Sequence, residues 1–141
     1  MTRLADYPDE VDARAVAEFE QHYPALELAE LVVVIAAYNE ADGIGTVLTE
    51  MPKRCCGMPV DVLVVVDGAT DATAEVARAH GAYTCVAPRN RGQGAALRLG
   101  YRLAAQHGAR FVVTTDADGQ YDGAELETLV TPLLDDRADF V

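Results

Sequence analysis

Leu31-Val32-Val33-Val34-Ile35-Ala36-Ala37-Tyr38-Asn39-Glu40-Ala41-Asp42-Gly43-Ile44 is the stretch from which the fold can be read. Its first seven residues are apolar without a break. A strand with one wet face alternates polar and apolar residues; an unbroken run marks a strand covered on both faces, as in a parallel sheet between two helix layers. After Tyr38-Asn39-Glu40 the pattern changes period. Over Asp42–Pro52, Ile44, Val47, Leu48 and Met51 recur at helical spacing. A buried strand that feeds a helix through a short polar turn is the first half of a βαβ unit.

The same alternation continues outward. Val60–Val66 reads as a second buried strand. Asp71–His80 reads as a helix with Ala72, Val76 and Ala79 inward, closed by Gly81. Tyr83–Ala87 is a short strand. Gly94–His107 is a helix with Leu97, Tyr101 and Ala105 along its stripe, closed by Gly108. Arg110–Thr115 is the fourth strand and Gly123–Leu134 a further helix. This predicts an α/β fold: a doubly wound, mostly parallel sheet with helices on both faces. Ahead of it, residues 1–30 read as an acidic leader with one helix, about Val11 to His22, stopped before Pro24. Residues 31–141 form the sheet domain. At Asp139-Phe140-Val141 another strand begins, so the chain is expected to be the amino-terminal part of a larger domain. Such a part exposes apolar surface and favours a homodimer.

The chain has 141 residues, half of them hydrophobic, enough for one real core. Its net charge of −12, from 23 acidic and 11 basic residues, repels the phosphates of nucleic acid and anionic lipid, which excludes a nucleic-acid module. A negatively charged ligand therefore needs a local cation. Met1–Glu10 is polar and acidic, without the apolar stretch of a signal peptide. The longest apolar run, Leu31–Tyr38, is far short of the ~20 residues a membrane helix needs. Cys55, Cys56 and Cys85 have no zinc-like spacing and read as free thiols of a cytoplasmic protein.

Ligands of doubly wound sheets bind at the carboxyl ends of the strands, near the point where strand order reverses. Four loops lie there. In the first, Tyr38 offers an aromatic face and a hydroxyl and Glu40 an acceptor, a pair suited to a nucleoside. In the second, Asp67 ends a buried strand and can accept a base N–H, whereas Asp71 reads as a structural residue of the next helix start. In the third, Arg89, Arg91 and Gly92 lead into a helix and form a candidate anion site. Neither Gly92-x-Gly94 nor Gly43-x-Gly45 is a dinucleotide fingerprint, because Leu97 and Leu48 stand at the third glycine positions.

The fourth loop is the acidic one. In Phe111–Tyr121, FVVTTDADGQY, an apolar strand runs into Asp116 and Asp118. Alternate residues of a strand share a face, so these two carboxylates would stand together at a buried strand end. Like charges there call for a cation, and Mg²⁺ or Mn²⁺ takes oxygen ligands while sharing its shell with substrate phosphates. Gln120 adds a neutral oxygen two residues on.

Together the stretches VVVIAAYNEADGI, VLVVVDGATDATAEVA, RNRGQGAALRLGY and VVTTDADGQYD resemble family 2 glycosyltransferases of the GT-A fold, and most of all the polyprenyl-phosphate (dolichyl-phosphate mannose synthase-like) branch. The resemblance covers about residues 31–141. It implies a nucleoside pocket lined by Ala36, Tyr38, Glu40, Asp67 and Asp116. It also implies Asp118 and Gln120 as ligands of Mg²⁺ or Mn²⁺, with Asp116 beside the ribose and diphosphate. The implied donor is a UDP- or GDP-hexose, the acceptor a lipid phosphate at the inner membrane surface, and the outcome inversion. The catalytic base and acceptor site would lie beyond Val141. The chain departs from the family's usual pattern at Ala36, where Pro is common, at Val66-Asp67, where Asp-Asp is common, and at Ala69, where Ser is common.

Two other readings compete. A haloacid-dehalogenase-type phosphatase also places Asp-x-Asp after an apolar strand, with Asp116 as its nucleophile. It needs a downstream Lys, and none follows Tyr121. A nucleotide-binding module without transfer activity would keep all four loops.

Overall fold

The computed structural model describes residues 10–68, 70–116 and 123–134. Five helices and five strands follow in the order α1 (Glu10–His22), β1 (Leu31–Ala37), α2 (Ala41–Glu50), β2 (Arg54–Cys55), β3 (Met58–Asp67), α3 (Thr73–Ala79), β4 (Tyr83–Ala87), α4 (Gln93–Gln106), β5 (Phe111–Asp116) and α5 (Gly123–Leu134). The strand begun at Asp139 lies outside the described residues.

The unbroken apolar run becomes the middle of the sheet. β1 pairs in parallel with β3 on one side, Leu31 opposite Val60 through Ala37 opposite Val66. On its other side it pairs in parallel with β5, Leu31 opposite Phe111 through Ala36 opposite Asp116. β4 adds in parallel beyond β3. The chain thus builds outward from β1 in one direction, then returns to the far side of β1 for β5, and the order reverses between these two strands. β2 is a short antiparallel addition to the start of β3, joined by a tight turn at Cys56-Gly57 with φ of 52° and 78°.

Alternate residues of β1 feed two cores. Leu31, Val33, Ile35 and Ala37 pack with Ile44 and Val47 of α2, Ala77 of α3, and Leu126 and Val130 of α5. Val32 and Val34 face the other way, with Ala15, Val16 and Phe19 of α1 and Ala96, Leu99 and Leu103 of α4. Helices cover both faces, as the doubly wound reading requires. Residues 10–30 are more than a leader, since α1 packs along β4 and its Phe19 is 1% exposed in the second core.

Two helix faces differ from expectation. In α3 the buried positions are Thr73 and Ala77, while Ala72 and Ala79 are exposed and Val76 is half-buried. In α4 they are Ala96, Leu99, Gly100, Leu103 and Ala104; Leu97 and Tyr101 flank this stripe and Ala105 is exposed. Gly100 explains the rotation. A Cβ there would lie 2.4 Å from Val34 Cγ1 and 3.2 Å from Val65 Cγ2, so its missing side chain lets α4 approach the sheet. The thiols are free, with Cys55 and Cys85 buried and Cys56 exposed. Burial pushes the Cys55 thiol up to about 12, and Cys85 is likewise pushed up by burial, so both stay protonated at neutral pH. No helix among the described residues is long and apolar enough to cross a membrane.

Candidate active site

Pairing register alone brings the acidic strand end to the tyrosine-bearing turn. Asp116 is level with Ala36 across the β1–β5 pair, and Ala36 is level with Val65 on its other side. One residue past the Ala37–Val66 pair come Tyr38 on one strand and Asp67 on its neighbour. Asp67 in turn is level with Ala87, where the third loop starts. Ala36, Tyr38, Asp67 and Asp116 therefore lie along one rim, at the carboxyl ends of adjacent parallel strands, astride the reversal of strand order. Asp118 and Gln120 lie outside the described residues, as does the side chain of Asp116. Among the described residues no group of three or more His, Cys, Asp or Glu could hold a metal ion.

The first two loops are stitched together. Asn39 sits at φ 50°, a left-handed conformation that Asn tolerates well. Its side-chain carbonyl accepts the Thr70 N–H at 2.8 Å. The Asp71 carboxylate accepts the Ala41 N–H at 3.2 Å and, through its other oxygen, the Thr73 N–H at 3.0 Å. The Thr73 hydroxyl donates to Asp71 and accepts the Glu40 N–H at 3.0 Å. Glu40 is the amino-terminal cap residue of α2, half-buried and without a side-chain capping bond. With the turn held from behind, Tyr38 stays 47% exposed, its ring open to a ligand.

Asp71 thus has the structural role its position suggested. Donation from the Thr73 hydroxyl, and then from the backbone amides of Thr73 and Ala41, holds its carboxyl below the usual value of 3.8. A depressed carboxylate contributes stability that is present above the unfolded value and lost as pH falls through the folded one. Asp71→Asn is therefore expected to melt below the wild type at neutral pH. The gap should close as pH drops below about 4 in paired thermal melts. A gap that held constant into strong acid would refute the assignment.

Asp67 is 3% exposed, and both of its oxygens are engaged. One accepts the Arg91 N–H at 3.1 Å and the other the Gly92 N–H at 2.9 Å. Gly92 caps α4 at φ 98°, and its N–H is shared with the Asn90 side chain at 3.1 Å. The Arg91 guanidinium turns away to Asp12 on α1, in an ion pair whose side chains are each 12% exposed. Arg89 is exposed and lines a cleft of about 190 Å³ with Glu10, Val11, Arg14 and Pro88, on the α1 side. The Arg89–Arg91–Gly92 anion site is therefore not assembled as the sequence suggested. Its amides face the chain's own Asp67 and one of its guanidiniums faces Asp12. The reason is charge: two buried carboxylates on a strongly acidic chain take the nearest donors. Asp12 is the residue of this network that local sequence reading misses, since its partner lies 79 positions away.

Known proteins resemble this arrangement. The pattern of Glycosyl transferase family 2 matches residues 32–141. An uncharacterized protein of Methanocaldococcus jannaschii is 37% identical over 105 residues, which are 74% of this chain and 42% of the relative. Dolichyl-phosphate beta-glucosyltransferase of Drosophila melanogaster is 36% identical over 114 residues, 69% of this chain and 34% of the relative. Among solved structures, glucosyl-3-phosphoglycerate synthase of Mycobacterium tuberculosis, in complex with Mn²⁺, UDP and glucosyl-3-phosphoglycerate, superposes with a TM-score of 0.62 at 28% identity. That match covers 84% of this chain and 43% of the other. The fold is also shared with a mannosyltransferase from Pyrobaculum calidifontis in complex with GDP-Man and Mn²⁺, with a TM-score of 0.62 at 23% identity over 87% of this chain and 44% of the other. The chain spans less than half the length of these relatives. A match that starts at the second residue of β1 and runs through the stretches that follow β1, β3, β4 and β5 places this chain in glycosyltransferase family 2.

Proposed function

We propose that this chain is the donor-binding part of a metal-dependent glycosyltransferase that takes a nucleoside-diphosphate hexose. The observation that carries the reading is the β1–β5 pairing, which sets Asp116, the strand residue that precedes Asp118 and Gln120, level with Ala36 on the rim of the Tyr38 turn. Tyr38, with its exposed ring, stacks on the base. Ala36, Glu40 and Asp67 line the nucleoside pocket, and Asp116 stands beside the ribose and diphosphate. Asp67 has room for this role, because a carboxylate carries about four lone-pair sites and among the described residues Arg91 and Gly92 take two.

Asp116, Asp118 and Gln120 offer oxygen donors alone, two of them charged, which suits Mg²⁺ or Mn²⁺ and not a softer metal. They would hold that ion. When bound, it supplies Lewis-acid stabilisation of the charge that develops on the departing nucleoside diphosphate. The M. tuberculosis structure, in complex with Mn²⁺ and UDP, and the P. calidifontis structure, in complex with GDP-Man and Mn²⁺, support this reading.

For the acceptor we propose a polyprenyl phosphate at the cytoplasmic membrane surface, attacking the sugar's C1. The dolichyl-phosphate beta-glucosyltransferase relative supports it. Calorimetric titration with UDP and GDP, with and without Mn²⁺, tests the donor half. We expect Mn²⁺-dependent binding of one nucleotide, weakened at least about ten-fold by Asp118→Asn, the loss expected of one metal ligand. Absence of nucleotide binding in either condition would remove the proposal for this chain.

A further inference from the structure

Among the described residues, two carboxylates are buried, Asp12 at 8% and Asp67 at 3% exposure. Arg91 serves both. Its guanidinium donates to Asp12 Oδ1, and its backbone N–H donates to Asp67 Oδ1 at 3.1 Å. The next residue, Gly92, gives its N–H to Asp67 Oδ2 at 2.9 Å. The loop carrying these amides also lies hard against the turn after Asp67. A Cβ placed on Gly68 would stand 2.2 Å from the Asn90 nitrogen. Asp12 lies on α1, ahead of the range matched by the family pattern, and α1 itself is fastened to the sheet through Phe19, Val16 and Ala15.

We infer that Asp12 is a positioning residue for nucleotide recognition. By holding the Arg91 side chain against α1, it fixes the amides that aim the Asp67 carboxylate at the rim. The inference rests on Asp67 facing the nucleotide, as proposed above. Three physical points support it. A guanidinium is a planar fork that is rigid once paired, so anchoring its end restrains the backbone at its base. Arg91 and Gly92 are consecutive, so a shift of the backbone at Arg91 displaces both of the amides that Asp67 accepts. The pair is largely removed from water, so its restraint is only weakly screened by salt.

The test is nucleotide titration calorimetry in Mn²⁺ on the wild type, on Asp12→Asn, and on Arg14→Ala, which breaks an exposed pair with Glu10 on the same helix. Thermal melts accompany each. Binding by the wild type is the prior condition, and its failure would count against the donor-site proposal instead. Given that binding, Asp12→Asn is expected to raise the nucleotide Kd at least five-fold, with Arg14→Ala unchanged. A lowered melting temperature with an unchanged Kd would make Asp12 merely structural and overturn the inference. Should Asp12→Asn not fold, the double variant Asp12→Leu/Arg91→Leu replaces the pair with apolar contacts of a kind that often preserve stability. A folded double variant with weakened binding supports positioning by the ion pair; wild-type affinity in it overturns the claim.

Discussion

Asp67→Ala is expected to destabilise the domain by about 2–4 kcal/mol and to abolish nucleotide binding, because one side chain closes the second loop onto the third. The carboxylate is buried, and the amides of Arg91 and Gly92 both end on it. Truncation leaves the Arg91 N–H without its acceptor, at about 1–3 kcal/mol, and the Gly92 N–H with the Asn90 side chain at 3.1 Å alone, at a smaller cost. The removed atoms add a smaller packing loss. Asp67→Asn separates these contributions. Its single carbonyl oxygen can keep one amide, while its NH₂ group faces the other as donor against donor. A loss of roughly half that of the alanine variant is expected. Urea unfolding monitored by circular dichroism reads the stability, and titration calorimetry reads the binding. Equal stability of wild type and Asp67→Ala would show that the loop is held by something other than this carboxylate.

Gly68→Ala is expected to cost a further large amount for a different reason. At φ 71°, alanine meets the steric penalty of the left-handed region, about 1–2 kcal/mol. The added methyl would also sit 2.2 Å from Asn90 N, 2.4 Å from Arg89 C and 2.8 Å from Arg89 Cα. These are backbone atoms, so no rotamer change relieves the overlap and the third loop must move away. A total of about 4 kcal/mol follows, a fall in Tm of roughly 10 °C for a domain of this size. Gly57→Ala is the matched control. Its φ is 78°, but nothing lies within 4 Å of the added carbon, so only the backbone penalty of about 1–2 kcal/mol applies. Equal melting temperatures for the two variants would show that contact between the loops contributes nothing.

The two predictions depend on contacts of opposite legibility. Strand positions were open to reading because short runs of β-branched, aromatic and other apolar residues between turn signals have few other uses: Leu31–Ala37 and Tyr83–Ala87 fold with the bounds their sequence suggests. The α2 stripe of Ile44 and Val47 is equally plain, since large apolar residues declare a face. Helices whose faces are set by small residues gave no such signal. In α4 the decisive position is Gly100, which counts as nothing in a hydrophobic pattern and yet sets how near the helix lies. In α3 a threonine, Thr73, is fully buried because its hydroxyl is bonded across to the first loop. The hairpin at Arg54–Cys55 was also silent, although Gly57 after an exposed Cys56 was an available turn signal.

At the rim, the residue types were readable and their partners were not. Asp71 could be read as structural because its work is local, on Thr73 two residues away. Asp67 reaches amides 24 and 25 positions on, and Arg91 reaches Asp12 79 positions back. Nothing in the spacing of an Arg-Asn-Arg-Gly turn says whether its donors face a ligand or the chain's own acids. The answer depends on which carboxylates the fold has already buried nearby. The four ordered stretches pointed to the rim, and the tertiary arrangement decided which of its described groups already have partners within the chain.

The reversal of strand order has a consequence during synthesis. β1 ends as a central strand, but β5, which covers its far side, emerges from the ribosome only after β3, β4 and α4 have been made. Until then Leu31–Ala37 is the outermost strand on that side, with no charge, proline or bulge along it. Such a bare margin invites pairing with another nascent chain. Docking of the segment that ends in Asp116 therefore does two things at once: it seals the stickiest border of the unfinished protein and assembles the rim. A molecule with a complete rim is, by the same event, one in which this bare margin has been covered.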